Sequence, residues 1–196
     1  MMPYEFDAER FSRWVAFVLR HHPERYDLKA DRYGYVNLDE LLRAAVRRYP
    51  DQTLQDLRGL IEERGRERFQ VSGLQVRARY GHSIPVEPMG DPIAPPATLY
   101  HGTEAGRRDA AFSSGLRPMD RRMIHLSDTV EDALLVARRR TEQPLVLSID
   151  AQAAHQAGIS FYREGKVYLA FYIPAKFLAL EPVGDPSMVS SPAPDP

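Results

Sequence analysis

The sequence predicts an α+β protein of two lobes, and three observations carry that reading. Apolar residues recur at helical spacing through the first sixty positions and then give way to strand alternation. A stretch dense in proline, Pro85-Val86-Glu87-Pro88-Met89-Gly90-Asp91-Pro92-Ile93-Ala94-Pro95-Pro96, interrupts the chain. Beyond it, short strand patterns surround a single well-marked helix. These features set the expected boundaries: a first lobe over 1–87, a linker over 88–96, a second lobe over 97–183 and a disordered Pro/Ser/Asp-rich tail over 184–196.

The first helix carries Phe11, Trp14, Val15, Val18 and Leu19 on one face. Pro23 disfavours helical geometry at His22, so the helix is expected to stop there, with Arg20 and His21 at its end. Tyr33-Gly34-Tyr35-Val36 reads as a turn into a short extended piece. Asn37 caps a second helix, with Glu40 three residues on and a stripe of Leu38, Leu41, Leu42, Ala45 and Val46. Thr53 caps a third helix that should bury Leu54, Leu57, Leu60 and Ile61. Arg68 to Val71 and Leu74 to Ala78 alternate as strands about a tight turn at Ser72-Gly73. Helices followed by a hairpin suggest a winged helix, a shape that binds nucleic acid or serves as a protein-interaction module.

In the second lobe, Thr98-Leu99-Tyr100 reads as a strand ending in His101-Gly102-Thr103, and Met123 to Ser127 as another ending in His125-Leu126-Ser127. Asp128 or Thr129 starts a helix running to about Arg140, with Ala133, Val136 and Ala137 inside. Leu145 to Ile149 and Val167 to Phe171 are further strands.

Composition narrows the function. The chain has 196 residues, 43% of them hydrophobic, enough for a proper core. It has no cysteine, which removes disulfides, thiol nucleophiles and cysteine–zinc sites and suits a reducing cytoplasm. The mixed polar start gives no sign of a signal peptide, and no apolar run approaches a membrane span. A soluble, cytoplasmic monomer is the expectation.

The net charge of −1 hides clusters of arginine: of 26 basic residues only Lys29, Lys166 and Lys176 are lysine. Arg64, Arg66, Arg68, Arg77 and Arg79 crowd one segment, Arg107, Arg108, Arg117, Arg121 and Arg122 another, and Arg138 to Arg140 are consecutive. Arginine is a planar, permanently charged fork suited to phosphate. A genome rich in GC would also produce arginine in number, so total and clustering carry different weight.

Arg20 and His21 pair a phosphate-binding fork with a proton carrier at a helix end, where a solvated terminus is the plain alternative. Two strands ending in a histidine and a hydroxyl could frame a flat polar ligand, with Gly102 letting it approach the backbone. A metal site or two structural histidines compete with that reading, and neither histidine has the close extra ligands a metal site favours. Walker, Rossmann and nucleophile-elbow motifs are absent from the sequence.

The ordered motifs Leu19-Arg20-His21-His22-Pro23, Arg68-Phe69, Gly81-His82-Ser83-Ile84, Leu99-Tyr100-His101-Gly102-Thr103, Gly115-Leu116-Arg117-Pro118-Met119 and His125-Leu126-Ser127 resemble the RNA 2′-phosphotransferase family, called KptA in prokaryotes. The resemblance runs from about Phe11 to Leu180. It implies a winged-helix RNA-binding lobe followed by an ADP-ribosyltransferase-like lobe, with NAD consumed as co-substrate and no metal. It implies a partner RNA, tRNA-like, carrying an internal 2′-phosphate. That phosphate attacks the ribose carbon bearing nicotinamide, giving a 2′-phospho-ADP-ribosylated RNA. The ribose 2″-hydroxyl then attacks phosphorus, releasing 2′-hydroxyl RNA and ADP-ribose 1″,2″-cyclic phosphate. By motif the essential quartet maps onto Arg20, His21, Arg68 and Arg139. His101, Gly102, Thr103, His125 and Ser127 would line the NAD site, and Arg64, Arg66, Arg77, Arg79, His82 and Ser83 would meet RNA.

The chain departs from the family in carrying Tyr80 where Gln is usual, Ala137 where Gly is usual, and a segment Thr141-Glu142-Gln143-Pro144 one residue longer. Two rival readings stand beside this one. An ADP-ribosyltransferase capping a terminal phosphate would stop after the first step. A non-catalytic winged-helix binder would leave the second lobe's motifs without a role.

Overall fold

The helix that ends in Arg20 and His21, α1 (Ala8–His21), sets the frame for the first half of the molecule. The computed structural model describes residues 6–182, so the tail expected over 184–196 lies outside the described residues. Asp7 caps α1 by accepting from the Arg10 N–H, and Phe11, Trp14, Val15, Val18 and Leu19 are buried as their spacing predicts. At the other end His22 swings to φ −142° and Pro23 opens a 3₁₀ turn, which leaves Arg20 and His21 in the last helical turn. Phe11, Trp14 and Tyr49 pack ring to ring, and the Trp14 indole donates to the Tyr26 hydroxyl at 3.0 Å.

Strand β1 (Val36–Asn37) runs straight into α2 (Leu38–Arg48), where Asn37 accepts from the Glu40 N–H. Thr53 and Asp56 form a reciprocal capping box on α3 (Leu54–Gly59), which continues as a π-helical turn through Leu60–Arg64. Leu57 and Ile61 are buried, but Leu54, expected inside, is 50% exposed. It is the first residue of the helix, and that opening turn projects past the core that Leu57 and Ile61 reach. Strands β2 (Phe69–Ser72) and β3 (Gln75–Ala78) complete an antiparallel sheet in the order β1-β3-β2. Ser72 pairs with Gln75, so the two-residue turn is Gly73-Leu74 rather than Ser72-Gly73, and Gly73 supplies the positive φ of 59°.

In the second half, β4 (Thr98–Glu104) pairs antiparallel with β6 (Pro144–Asp150), which pairs with β9 (Leu178–Glu181). A second sheet has the order β5 (Ile124–Leu126), β8 (Val167–Ala170), β7 (Tyr162–Glu164). The two meet where Tyr100 and Ser127 exchange backbone hydrogen bonds of 2.8 Å. Helices α4 (Arg108–Ser114), α5 (Val130–Arg138) and α6 (Ala151–Gln156) complete the half. α5 starts at a Thr129 cap and buries Ala133 and Ala137; Val136, expected inside, is 40% exposed because only the alanine face meets the sheet.

His101-Gly102-Thr103 was expected at a strand end but lies within β4, opposite Leu147, Val146 and Leu145. The role of Gly102 changes with it. A Cβ there would sit 1.9 Å from the Ala133 carbonyl oxygen and 3.2 Å from the Ala137 Cβ. The missing side chain gives α5 close contact with β4; the space expected for a ligand is filled by helix backbone.

One buried cluster draws on Phe11 to Ala78 and another on Leu99 to Leu178. The segment between them touches both: Glu87 N–H donates to the Arg32 carbonyl and Ile93 N–H to that of Phe161. Across the seam, Arg77 on β3 donates to Glu164 on β7 at 2.5 Å, with both side chains almost fully buried. Arg77 also donates twice to Gln70 Oε1 and lies over the Tyr35 ring. Arg77 is therefore a buried tie between the halves, and the expectation that it meets RNA is overturned: at 2% exposure it has no surface to offer.

Candidate active site

The seam beside that ion pair gathers cationic and imidazole groups from both halves. α1 supplies Arg20 and His21; the turn into β2 supplies Arg68; the loop after β3 supplies Tyr80, Gly81, His82 and Ser83. The C-terminal half supplies His101 from β4, Arg121 from the loop before β5, His125 from β5, and Arg140 from just past α5.

Arg20 is held by shape and stacking. Gly81, at φ +91°, brings its backbone so close that a Cβ would lie 3.2 Å from Arg20 Cδ and Nε. The guanidinium stands over the Tyr80 ring at 5.1 Å, a cation–π contact. Tyr80 also packs edge-on against His125, ring centroids 5.9 Å apart, and so links an N-terminal cation to a C-terminal imidazole. Arg20 Nε is buried without a hydrogen-bond partner among the described residues. Burial, and then the nearby Arg68 charge, depress the Arg20 pKa, partly offset by Tyr80.

Arg68 donates to Ser12 Oγ at 3.0 Å and pairs with Glu9 at 3.3 Å, so α1 steadies it while a third of its side chain stays open. His21 Nδ1 and Ser83 Oγ are 2.9 Å apart, and the Ser83 N–H donates to the Arg20 carbonyl. Ser83 thus positions His21. Burial, then the charges of Arg20, His22 and Arg121, lower the His21 pKa and favour a neutral imidazole. His82, placed with RNA by its motif, is a 6%-exposed interior group beside Gly34. Burial, then Arg20, Arg77 and His21, push its pKa down to about 4.

His101 Nδ1 donates to the His125 carbonyl at 2.9 Å, and Arg121 Nη1 lies 3.1 Å from His125 Nδ1. Both imidazoles are held neutral, first by burial, and for His125 next by Arg121 and Arg20. Arg121 itself is pushed down to about 10 by burial and then by Arg140 and Arg20. Like charges desolvated together repel, so such a cluster stores a preference for an anion.

The consecutive arginines are sorted by the fold. Arg139 is the C-cap of α5, and Arg138, Arg139 and Arg140 are all exposed. Arg140 is the member whose charge is felt at His101, Arg121 and His125. Thr103 lies on β4 beyond His101, and Ser127 is tied to Tyr100 through its backbone. Arg64 and Arg66 are exposed, and half-exposed Arg79 donates to the Arg66 carbonyl. Sequence reasoning named Arg121 only within a cluster of arginines and Tyr80 only as a departure from the family, and did not single out Glu164. Arg121 stands four residues before His125, a spacing that could have drawn notice; the partner of a buried arginine has no local signal.

Among the described residues no group of three or more His, Asp or Glu is placed to hold a metal ion, and no helix is long and apolar enough to cross a membrane. The chain matches the family model described as RNA 2′-phosphotransferase, Tpt1 / KptA family, over residues 7–170. A Streptomyces griseus protein described as a probable RNA 2′-phosphotransferase is 40% identical over 181 residues, covering 87% of this chain and 95% of its own. One from Acetivibrio thermocellus, with the same description, is 37% identical over 178 residues, covering 89% and 98%. One from Bacillus thuringiensis is 36% identical over 172 residues, covering 86% and 93%. A match over this much of the chain shows that it belongs to the RNA 2′-phosphotransferase, Tpt1 / KptA family.

Proposed function

We propose that the protein removes an internal RNA 2′-phosphate in two steps, consuming NAD as co-substrate. The observation that carries the reading is that Arg20, His21, Arg68, Arg121 and Arg140, drawn from both halves of the chain, form a linked set of groups close enough for each to feel a neighbour's charge. In this reading residues 8–78 act as a winged-helix RNA-binding unit and residues 98–181 as an ADP-ribosyltransferase-like unit. Exposed Arg64 and Arg66 and half-exposed Arg79 track the RNA backbone, and His101, Thr103, His125 and Ser127 face NAD.

In the first step a phosphate oxygen forms a bond to the ribose carbon and nicotinamide leaves with the electron pair of the broken C–N bond. The nucleophile is already an anion, so this step asks for position more than for a base. In the second step the adjacent ribose hydroxyl attacks phosphorus, and the RNA 2′-oxygen leaves and takes up a proton. Negative charge builds on the phosphoryl oxygens, where fixed guanidiniums act without reorganising. A neutral His21, steadied by Ser83, accepts the hydroxyl proton and can return it to the leaving oxygen.

The test is mass analysis of products from a 2′-phosphorylated oligonucleotide incubated with NAD. Nicotinamide, 2′-hydroxyl RNA and a cyclic phosphate of ADP-ribose are expected. Arg68→Ala or His21→Ala should slow the second step more than the first, with ADP-ribosylated RNA accumulating. Arg140→Ala should do the same while Arg139→Ala stays close to the parent. Absence of nicotinamide release from the parent protein overturns the reading.

A further inference from the structure

We propose that Arg121 is a positioning residue that locks His125 in the tautomer protonated at Nε2, making His125 a hydrogen-bond donor to substrate oxygen rather than a proton acceptor. The inference deepens the function proposed above and rests on it for its kinetic part alone. Arg121 Nη1 and His125 Nδ1 are 3.1 Å apart. A guanidinium has five donors and no acceptor, so the bond has one possible sense: Arg121 donates and Nδ1 receives through its lone pair. A neutral imidazole with a lone pair at Nδ1 carries its proton at Nε2. Burial, and then the neighbouring Arg121 and Arg20 charges, disfavour a second proton, which keeps the ring neutral.

His125 Nε2 is buried and has no hydrogen-bond partner among the described residues. An unanswered buried donor is unfavourable. It is tolerated at a site whose ligand completes it. His101 supplies the contrast. Its Nδ1 faces the His125 carbonyl at 2.9 Å, and a carbonyl only accepts, so the His101 proton is at Nδ1 and its Nε2 holds the lone pair. Two histidines joined through one residue thus present opposite chemistry: His125 a donor, suited to a phosphate or carbonyl oxygen, and His101 an acceptor, suited to a hydroxyl or amide N–H. Edge contact with Tyr80 keeps the His125 ring in that orientation.

The test is ¹⁵N nuclear magnetic resonance of the histidine side chains in the full-length protein near pH 7.5, which needs no substrate. In the parent, His125 should show its proton on Nε2 and His101 on Nδ1. Arg121→Met should release the lock, mixing the two His125 tautomers, and Arg121→Lys, which can still donate, should keep the parent pattern. Turnover of 2′-phosphorylated RNA with NAD should fall roughly ten- to hundredfold in Arg121→Met, in line with loss of a hydrogen bond from a charged donor, and recover in part in Arg121→Lys. His125→Gln, whose amide can place a donor near Nε2, should retain more activity than His125→Asn. A parent His125 protonated at Nδ1, or a tautomer that Arg121→Met leaves unchanged, overturns the proposal. Intact tautomers with no turnover in any protein would instead count against the proposed reaction.

Discussion

His82 should make the protein acid-sensitive in a window that its surroundings define. The imidazole is 6% exposed and flanked by Arg20, Arg77 and His21, and its pKa is lowered to about 4. In the unfolded chain the same ring titrates near 6.5. Below pH 6.5 the unfolded chain therefore takes up a proton that the folded chain refuses. The stability contributed by a neutral His82 is fully present above pH 6.5 and is lost as pH falls toward about 4. The gap is about 2.5 pH units, and at about 1.36 kcal/mol per unit the full loss is about 3 kcal/mol. His82→Gln removes the titration and keeps a polar side chain of similar reach. Urea unfolding of both proteins at pH 7.5, 6.5, 5.5 and 4.5 isolates the effect, because His21, His101, His125 and the carboxylates are common to both. The parent should lose stability relative to His82→Gln through this range and run parallel to it above pH 7. Parallel profiles down to pH 4.5 would refute the reasoning.

Three further outcomes follow from other contacts. Glu164→Gln strips the charge opposite buried Arg77 and should destabilise by about 3–5 kcal/mol, read as a lower urea midpoint; an unchanged midpoint would show that the tie is not closed in solution. Gly102→Ala drives a methyl into the Ala133 carbonyl and should lower the melting temperature by the equivalent of at least about 1–3 kcal/mol, whereas a melting temperature equal to the parent's would contradict the packing of α5 on β4. Arg64→Gln with Arg66→Gln should weaken RNA binding and flatten its salt dependence by about two phosphate contacts while NAD affinity holds; unchanged RNA affinity would mean that these exposed arginines reflect base composition alone.

What the sequence could reveal divides along physical lines. α1, its stop at Pro23 and the caps at Asn37, Thr53 and Thr129 were legible because periodicity and capping are local chemistry. The ordered motifs led to Arg20, His21 and Arg68 for the same reason. Leu54 and Val136 were misplaced because burial depends on where a helix crosses its neighbour, which no spacing states. Arg77 and Gly102 had the right chemistry for one role and serve another. A guanidinium 87 residues from its carboxylate, and a strand glycine under a helix carbonyl, are decided by tertiary packing.

The choice between Arg139 and Arg140 shows how a packing detail reaches the chemistry. Successive helical residues are turned by about 100°, so residues seven apart lie nearly in line. Ala133 and Ala137 face β4, and Gly102 lets them come close enough for backbone contact. Arg140 stands seven residues after Ala133, and its N–H donates to the Ala137 carbonyl in the turn that follows the helix. Arg139 falls about 200° from Ala137 and turns outward. The Arg140 charge is felt at both His101 and His125.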